Sequence, residues 1–212
     1  PSTEGNSGNL NVTFGDYDLK MLTTSNNFVV NEKIATRFSL SSTTREGFSK
    51  NIVTGQDLDD ANNKSFRTDW MFDLNDTSSL RVFGQYFKVD RNGAAIRGID
   101  DQTPDMRKLS QDTVSQHELS SMVVAAIYES DLGFANLKAI ASLQEDDILV
   151  VRDNDRHNYL DPVLAIPDLG LGATYQRAEF TPETSLVDTK TLEINLISVS
   201  YTHLTLPTMM SV

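Results

Sequence analysis

Side chains of opposite character alternate with a period of two along most of this chain, and that pattern commits it to β-strands. It is clearest where Ile34, Thr36, Phe38 and Leu40 face away from Ala35, Arg37, Ser39 and Ser41. Phe66, Thr68, Trp70, Phe72 and Leu74 likewise oppose Arg67, Asp69, Met71 and Asp73. Ionised groups confined to one face require that face to meet water or a polar interior, because burying them unpaired costs several kcal/mol.

The same reading predicts about eight strands. They are centred on Leu10–Phe14, Leu19–Val30, Ile34–Ser41, Phe66–Leu74, Leu80–Val89, Met122–Tyr128, Ala135–Gln144 and Leu192–Leu196. After the first connection, turns of about 3 to 5 residues alternate with excursions of roughly 20, 28 and 42 residues, a spacing seen in outer-membrane barrels. The expected fold is all-β, an antiparallel up-and-down meander: a partial transmembrane β-barrel with short turns on one side and long loops on the other. Phe72 and Tyr128 fall near the short turns and Phe66 and Tyr86 near the long loops, where interfacial aromatics would stand. A soluble or secreted β-sandwich that binds carbohydrate or another surface alternates in the same way, as does a porin-like barrel, and both stay open.

Composition narrows the partners. Thirty acidic against 18 basic residues give a net charge of -12, which disfavours a nucleic-acid phosphate backbone. There is no cysteine, so disulfides, thiolate metal sites and cysteine nucleophiles are unavailable. No apolar run reaches the ~18 residues of a membrane-crossing helix, a criterion that barrel strands escape because only every second residue is apolar. The chain opens at Pro1 with no export signal, as expected of an internal piece of a longer protein.

Several strings resemble the TonB-dependent outer-membrane receptors. Arg45-Glu-Gly-Phe-Ser-Lys-Asn-Ile-Val-Thr-Gly-Gln-Asp-Leu-Asp-Asp60 is similar to that family's first large loop, with its Arg-Asp-Gly-Tyr-like tetrapeptide and following Asn-Leu-Xaa-Thr-Gly. Ser65-Phe-Arg-Thr-Asp-Trp-Met-Phe72 is similar to the next descending strand, and Asn75-Asp-Thr-Ser-Ser-Leu-Arg-Val82 to the short turn and ascending strand after it. Phe14-Gly-Asp-Tyr-Asp18 resembles the family's first turn, and Thr189-Lys-Thr-Leu-Glu-Ile-Asn195 a later strand. Asn27-Phe-Val-Val30 departs from the usual Asn-Val-Pro-Leu, which loosens the subfamily.

The resemblance implies residues 1–198 of a receptor barrel whose plug domain and partner-binding box lie elsewhere. It implies no enzymatic reaction and no cofactor. The implied setting is the outer membrane of a Gram-negative bacterium, with outer-membrane lipid around the wall. The implied role is uptake of a scarce nutrient, such as a siderophore-iron complex or other metal chelate, energised by a TonB-type protein through the plug. The tail Val199-Ser-Tyr-Thr-His-Leu-Thr-Leu-Pro-Thr208 resembles the in-frame translation of a sequencing adapter, so residues 199–212 are expected to be non-native.

Chemistry-bearing motifs are sparse. His117, His157 and His203 lie far apart and have no metal-ligand spacing. The acidic runs 57–60 and 100–105 lack the glycine and terminal glutamate of a calcium loop and read as solvated loop charge. Arg152, Arg156, His157 and Tyr159 form the expected ligand-binding group, able to meet an anionic or aromatic ligand with guanidinium and ring contacts.

Overall fold

The computed structural model describes residues 1–98, 101–154, 156, 158 and 180–198, so the tail 199–212 lies outside the described residues. Among them there is no helix. The strands are β1 (Ser7–Gly15), β2 (Leu19–Asn31), β3 (Ile34–Arg45), β4 (Ser49–Asn51), β5 (Asp57–Leu58), β6 (Ala61–Asn75), β7 (Ser78–Arg91), β8 (Lys108–Leu109), β9 (Gln116–Asp131), β10 (Ala135–Asp153) and β11 (Phe180–Ser198). Eight of these form one antiparallel meander in the order β1-β2-β3-β6-β7-β9-β10-β11. β1 and β11 are its two edges and do not pair with each other.

Each expected strand is present, and most run farther toward the long-loop end than the alternation indicated. β10 continues from Gln144 to Asp153, and β11 spans Phe180–Ser198 where only Leu192–Leu196 was expected. The reason is physical. Above Leu143 the alternation of β10 stops while the backbone ladder continues: both faces are polar over Gln144–Asp147 and both apolar over Ile148–Val151. Period-two hydropathy reports a half-apolar surface and falls silent where the two faces are alike.

Register divides the sheet into two faces. Leu10, Phe38, Phe66, Trp70, Val82, Tyr86, Val124, Leu143 and Leu192 fall on one; Asn27, Arg37, Arg67, Asp69, Gln85, Ala125 and Ser142 on the other. The apolar face is the exposed one: Phe14 is 74% and Leu192 75% exposed. The polar face is shielded, with Asn27, Asp69 and Ala125 all buried. This inverts the arrangement of a sheet packed on a water-excluding core.

Two observations explain the shielding. Residues preceding β1 fold back over the polar face, where the Asn27 side-chain amide donates to the carbonyls of Ser2 and Gly5 (2.8 Å each) and its oxygen accepts from the Ser2 N–H (2.9 Å). At the tight-turn end, one cavity of ≈ 740 Å³ takes in residues from Glu32 to Ile197 on β11. The polar face is therefore concave at this end.

On the polar face a carboxylate with 6% side-chain exposure, Asp69, is gripped by two arginines. Arg81 Nε donates to Asp69 Oδ1 at 2.7 Å and its Nη2 to Oδ2, while Arg67 Nη2 reaches Oδ2 at 3.3 Å. Arg67 also donates to Gln85 Oε1 at 3.1 Å and lies 4.1 Å above the Phe83 ring. Bidentate guanidinium geometry of this kind fixes register across β6 and β7 as well as compensating charge.

The apolar face has a slanted upper border. Moving away from the tight turns, the first charged outward residue is Lys190 on β11, Glu145 on β10, Lys88 on β7, Lys64 on β6 and Lys20 on β2, while β9 stays uncharged up to Glu118, above that line, and β3 carries no outward charge. The register row of Lys190 passes through Leu143, Val124, Gly84, Thr68 and Phe38 to Asn26 on β2, six residues short of Lys20. Six strand-to-strand steps thus raise the border by about one residue each, an inclination of about 35° at ~3.3 Å per residue and ~4.8 Å per strand.

Candidate functional site

The long-loop end is built by connections that acquire structure of their own. β5, β4 and β8 form a second, three-stranded sheet in which β4 pairs antiparallel with β5 and parallel with β8. Leu58 and Leu109, each 1% exposed, are its apolar centre. Gln56 and Ser115 exchange two hydrogen bonds: Gln56 Nε2 donates to the Ser115 carbonyl (2.6 Å) and the Ser115 N–H donates to Gln56 Oε1 (2.9 Å). Asn51 Oδ1 accepts from the Val53 N–H at 3.1 Å and turns the loop.

The acidic run 57–60 proves to be a staple and not merely solvated charge. Asp59, at a left-handed φ of 61°, accepts from Ser49 Oγ (2.6 Å) and from the Ala95 N–H (3.1 Å). Asp60 accepts from the Asn92 N–H at 2.8 Å. Short carboxylates satisfy loop N–H groups at both places, and aspartate also tolerates the left-handed backbone of position 59.

Gly47 has no room for a side chain, since a Cβ there would come within 2.8 Å of the Leu58 amide nitrogen. Gly47→Ala is therefore expected to separate β4 from β5 at a cost of about 1–3 kcal/mol. Faster proteolysis within residues 46–60, with the eight-stranded sheet intact by circular dichroism, is the expected readout; an unchanged digestion rate counts against the contact.

Asp101 organises the second excursion. Burial alone would raise its carboxyl pKa, but hydrogen bonds from Thr103 and Ser110 and the charge of Arg97 outweigh it, holding the pKa below the ordinary 3.8. The Thr103 N–H lies 2.8 Å and the Ser110 N–H 3.1 Å from its oxygens. A depressed folded-state pKa contributes stability that is present above 3.8 and lost as pH falls through the folded value. Acidification below pH ~3.8 is expected to speed hydrogen exchange at Ser110 before the main sheet opens. Asp101→Asn should remove that acid dependence.

An exposed aromatic and guanidinium cluster caps this end. The β1–β2 turn offers Tyr17, whose carbonyl accepts from the Glu46 N–H at 2.8 Å. Its ring lies 5.9 Å from Phe48, and Arg107 Nη1 donates to its hydroxyl. The Arg45 guanidinium stands 4.9 Å from the Phe48 centroid and that of Arg107 5.9 Å. Cations over rings supply both positive charge and flat apolar surface, suited to an anionic aromatic group.

Of the expected ligand-binding residues, Arg152 sits near the upper end of β10, more than half exposed, with its guanidinium 3.0 Å from the Glu183 carboxylate. Arg156 has a left-handed φ of 62°, and its N–H donates to Asp153 Oδ1 at 2.6 Å. His157 and Tyr159 lie outside the described residues. Asn158 packs inward and donates to Ser110 Oγ at 3.3 Å, tying the third excursion to the second. Arg152 and Arg156 thus share an end of the sheet with the Tyr17 cluster while keeping separate partners.

Sequence reasoning passed over Tyr17, Phe48 and Arg107 as a group. Arg45 to Phe48 stood in plain view as the tetrapeptide that carries the resemblance, yet Arg107 comes from a segment with no pattern of its own. Among the described residues no cluster of three or more His, Cys, Asp or Glu is placed to hold a metal. No protein-family model, curated protein or solved structure matches the chain.

Proposed function

We propose that this chain is part of the wall of an outer-membrane transport receptor of the TonB-dependent type, serving uptake of a scarce nutrient such as an iron chelate and catalysing no reaction. The observation that carries the reading is the inverted sheet: an exposed apolar face with a slanted charged border, backed by a shielded polar face. Strands of transmembrane barrels tilt by about 35–45° to the membrane normal, so a lipid-facing band drawn on them must climb by about one residue per strand. The border here does so. On β6 the apolar band from Phe66 to Leu74 spans about 22 Å along the normal at that tilt, against the ~25 Å expected.

Several further features agree. Phe66 is the cross-strand partner of Tyr86, and Phe72 shares a row with Leu80 and Tyr128, so these four aromatics stand in two tiers at the edges of the band, with Trp70 and Phe38 between them. Tight turns at 32–33, 76–77 and 132–134 lie at one end, opposite the long excursions and the short β1–β2 turn. A β-sandwich requires a second sheet over the apolar face, and among the described residues no strand covers it. In the receptor reading the Tyr17, Phe48 and Arg107 cluster, with Arg152 at the same end of the sheet, faces the medium and meets an anionic ligand first, while a plug domain and a TonB-type partner act from the other side.

The protein encoded by the complete gene provides the test. Recovery in the outer-membrane fraction with heat-modifiable migration, and energy-dependent uptake of an iron chelate that disappears on deletion, would support the proposal. Recovery as a soluble periplasmic protein would sink it. Changing Arg152 and Arg156 to alanine in that protein is expected to weaken ligand binding about tenfold, and unchanged affinity would remove those residues from the site.

A further inference from the structure

The slanted border holds an arrangement that the sheet by itself does not explain. Lys64 on β6 and Lys88 on β7 are direct cross-strand partners on the apolar face, both exposed. Like charges placed directly opposite destabilise a sheet. Among the described residues neither lysine enters an ion pair, although the protein carries an excess of acidic groups to draw on. Their neighbours along the same row are uncharged, Ser42 on β3 and Ser120 on β9. Immediately below them, in the apolar band, stand Phe66 and Tyr86, themselves cross-strand partners. Above Lys88 stands Asp90, directly opposite Glu118 on β9, and above Lys64 stands the uncharged Asn62.

We infer that Lys64 and Lys88 form a binding site for the phosphate of an anionic lipid headgroup in the membrane leaflet at the long-loop end. The inference rests on the membrane reading of the apolar face. At the upper edge of a lipid-facing band, a lysine stem lies along the apolar surface and its ammonium reaches headgroup depth. Two ammoniums on cross-strand partners, with Cβ atoms about 5 Å apart, can share the oxygens of one phosphate. Phosphate between them converts the opposed like charges into a bridged pair.

The carboxylates decide the source of that phosphate. An ion arriving from solution on the Lys88 side meets the Asp90 and Glu118 pair, which repels it, whereas a lipid phosphate arrives from the bilayer side beneath them. The net charge of -12 acts in the same sense, since the protein as a whole is repelled by an anionic surface. Attraction to anionic lipid therefore has to be local.

Flotation of the protein encoded by the complete gene with lipid vesicles, after removal of aggregates by centrifugation, tests the site. Phosphatidylcholine vesicles are compared with vesicles that also contain phosphatidic acid. The protein is expected to float with both and more strongly with the second. Lys64→Gln together with Lys88→Gln should lose the increment, about fivefold for each lysine, while keeping the phosphatidylcholine binding. Lys64→Arg with Lys88→Arg should retain it, and Lys33→Gln at the tight-turn end should leave it unchanged. Free inorganic phosphate should fail to compete; full competition would mean a site for the soluble anion and overturn the assignment to lipid. Equal binding of the protein and its double glutamine variant to the anionic vesicles would overturn the site while leaving the membrane reading in place. Failure to float with phosphatidylcholine at all would overturn both.

Discussion

Val82→Arg is expected to weaken partition of this protein into lipid by roughly 30- to 1000-fold, because an arginine on the lipid face near the bilayer midplane costs about 2–4 kcal/mol. Val82 lies mid-band on β7, between Trp70 on β6 and Ala126 on β9, with Leu80 toward the tight turns and Tyr86 toward the border. The companion change is Ser121→Arg. Ser121 is on the polar face, opposite Asp146 on β10, where a new guanidinium gains a carboxylate partner. It should leave partition within about a factor of two, as interior changes in a barrel do. Flotation with phosphatidylcholine vesicles measures both. Equal losses in the two variants would mean that the faces are not distinguished by lipid, and the receptor reading would fail with them.

The second large effect concerns Asp69. Removing its charge with Asp69→Asn leaves Arg67 and Arg81 beside each other without the carboxylate that separates them. Breaking a fully buried pair costs about 3–5 kcal/mol. The arginines here are 33% and 46% exposed, so solvent screens part of the repulsion and about 2–3 kcal/mol is expected. In a urea titration that loss would lower the midpoint by about 1–2 M. Asp69→Asn combined with Arg81→Met should recover part of it, because the second change removes the stranded cation. A single variant within about 0.5 kcal/mol of the parent would show that the cluster does not hold β6 to β7.

The two outcomes separate levels of the structure. Val82 tests what the outer surface meets. Asp69 tests what the polar face needs for its own order, whether or not the membrane reading holds. A sheet with its apolar side outward cannot rely on a packed hydrocarbon core, and charge pairs and amide networks on the shielded side take over that task. The buried residues fit this: Asn27, Asp69 and the loop groups Asn51, Gln111 and Ser115 stand beside few large apolar side chains.

The meander and its two faces were legible in the chain because they are local properties. A strand's face depends on residues two apart, and a tight turn depends on groups such as the Asp131 carboxylate that caps the Gly133 N–H at 2.7 Å. Neither needs information from a distant segment. Only the tertiary structure decided how far the strands run past the apolar band, because two faces of like character, polar over Gln144–Asp147 and apolar over Ile148–Val151 on β10, carry no periodic signal. It alone decided that the excursions join in a second sheet, where Lys50 pairs with Lys108 and Gln56 with Ser115. The Tyr17 and Arg107 contact joins residues 90 positions apart. Contacts of that kind depend on the register of every intervening strand, and no pattern within either loop encodes them.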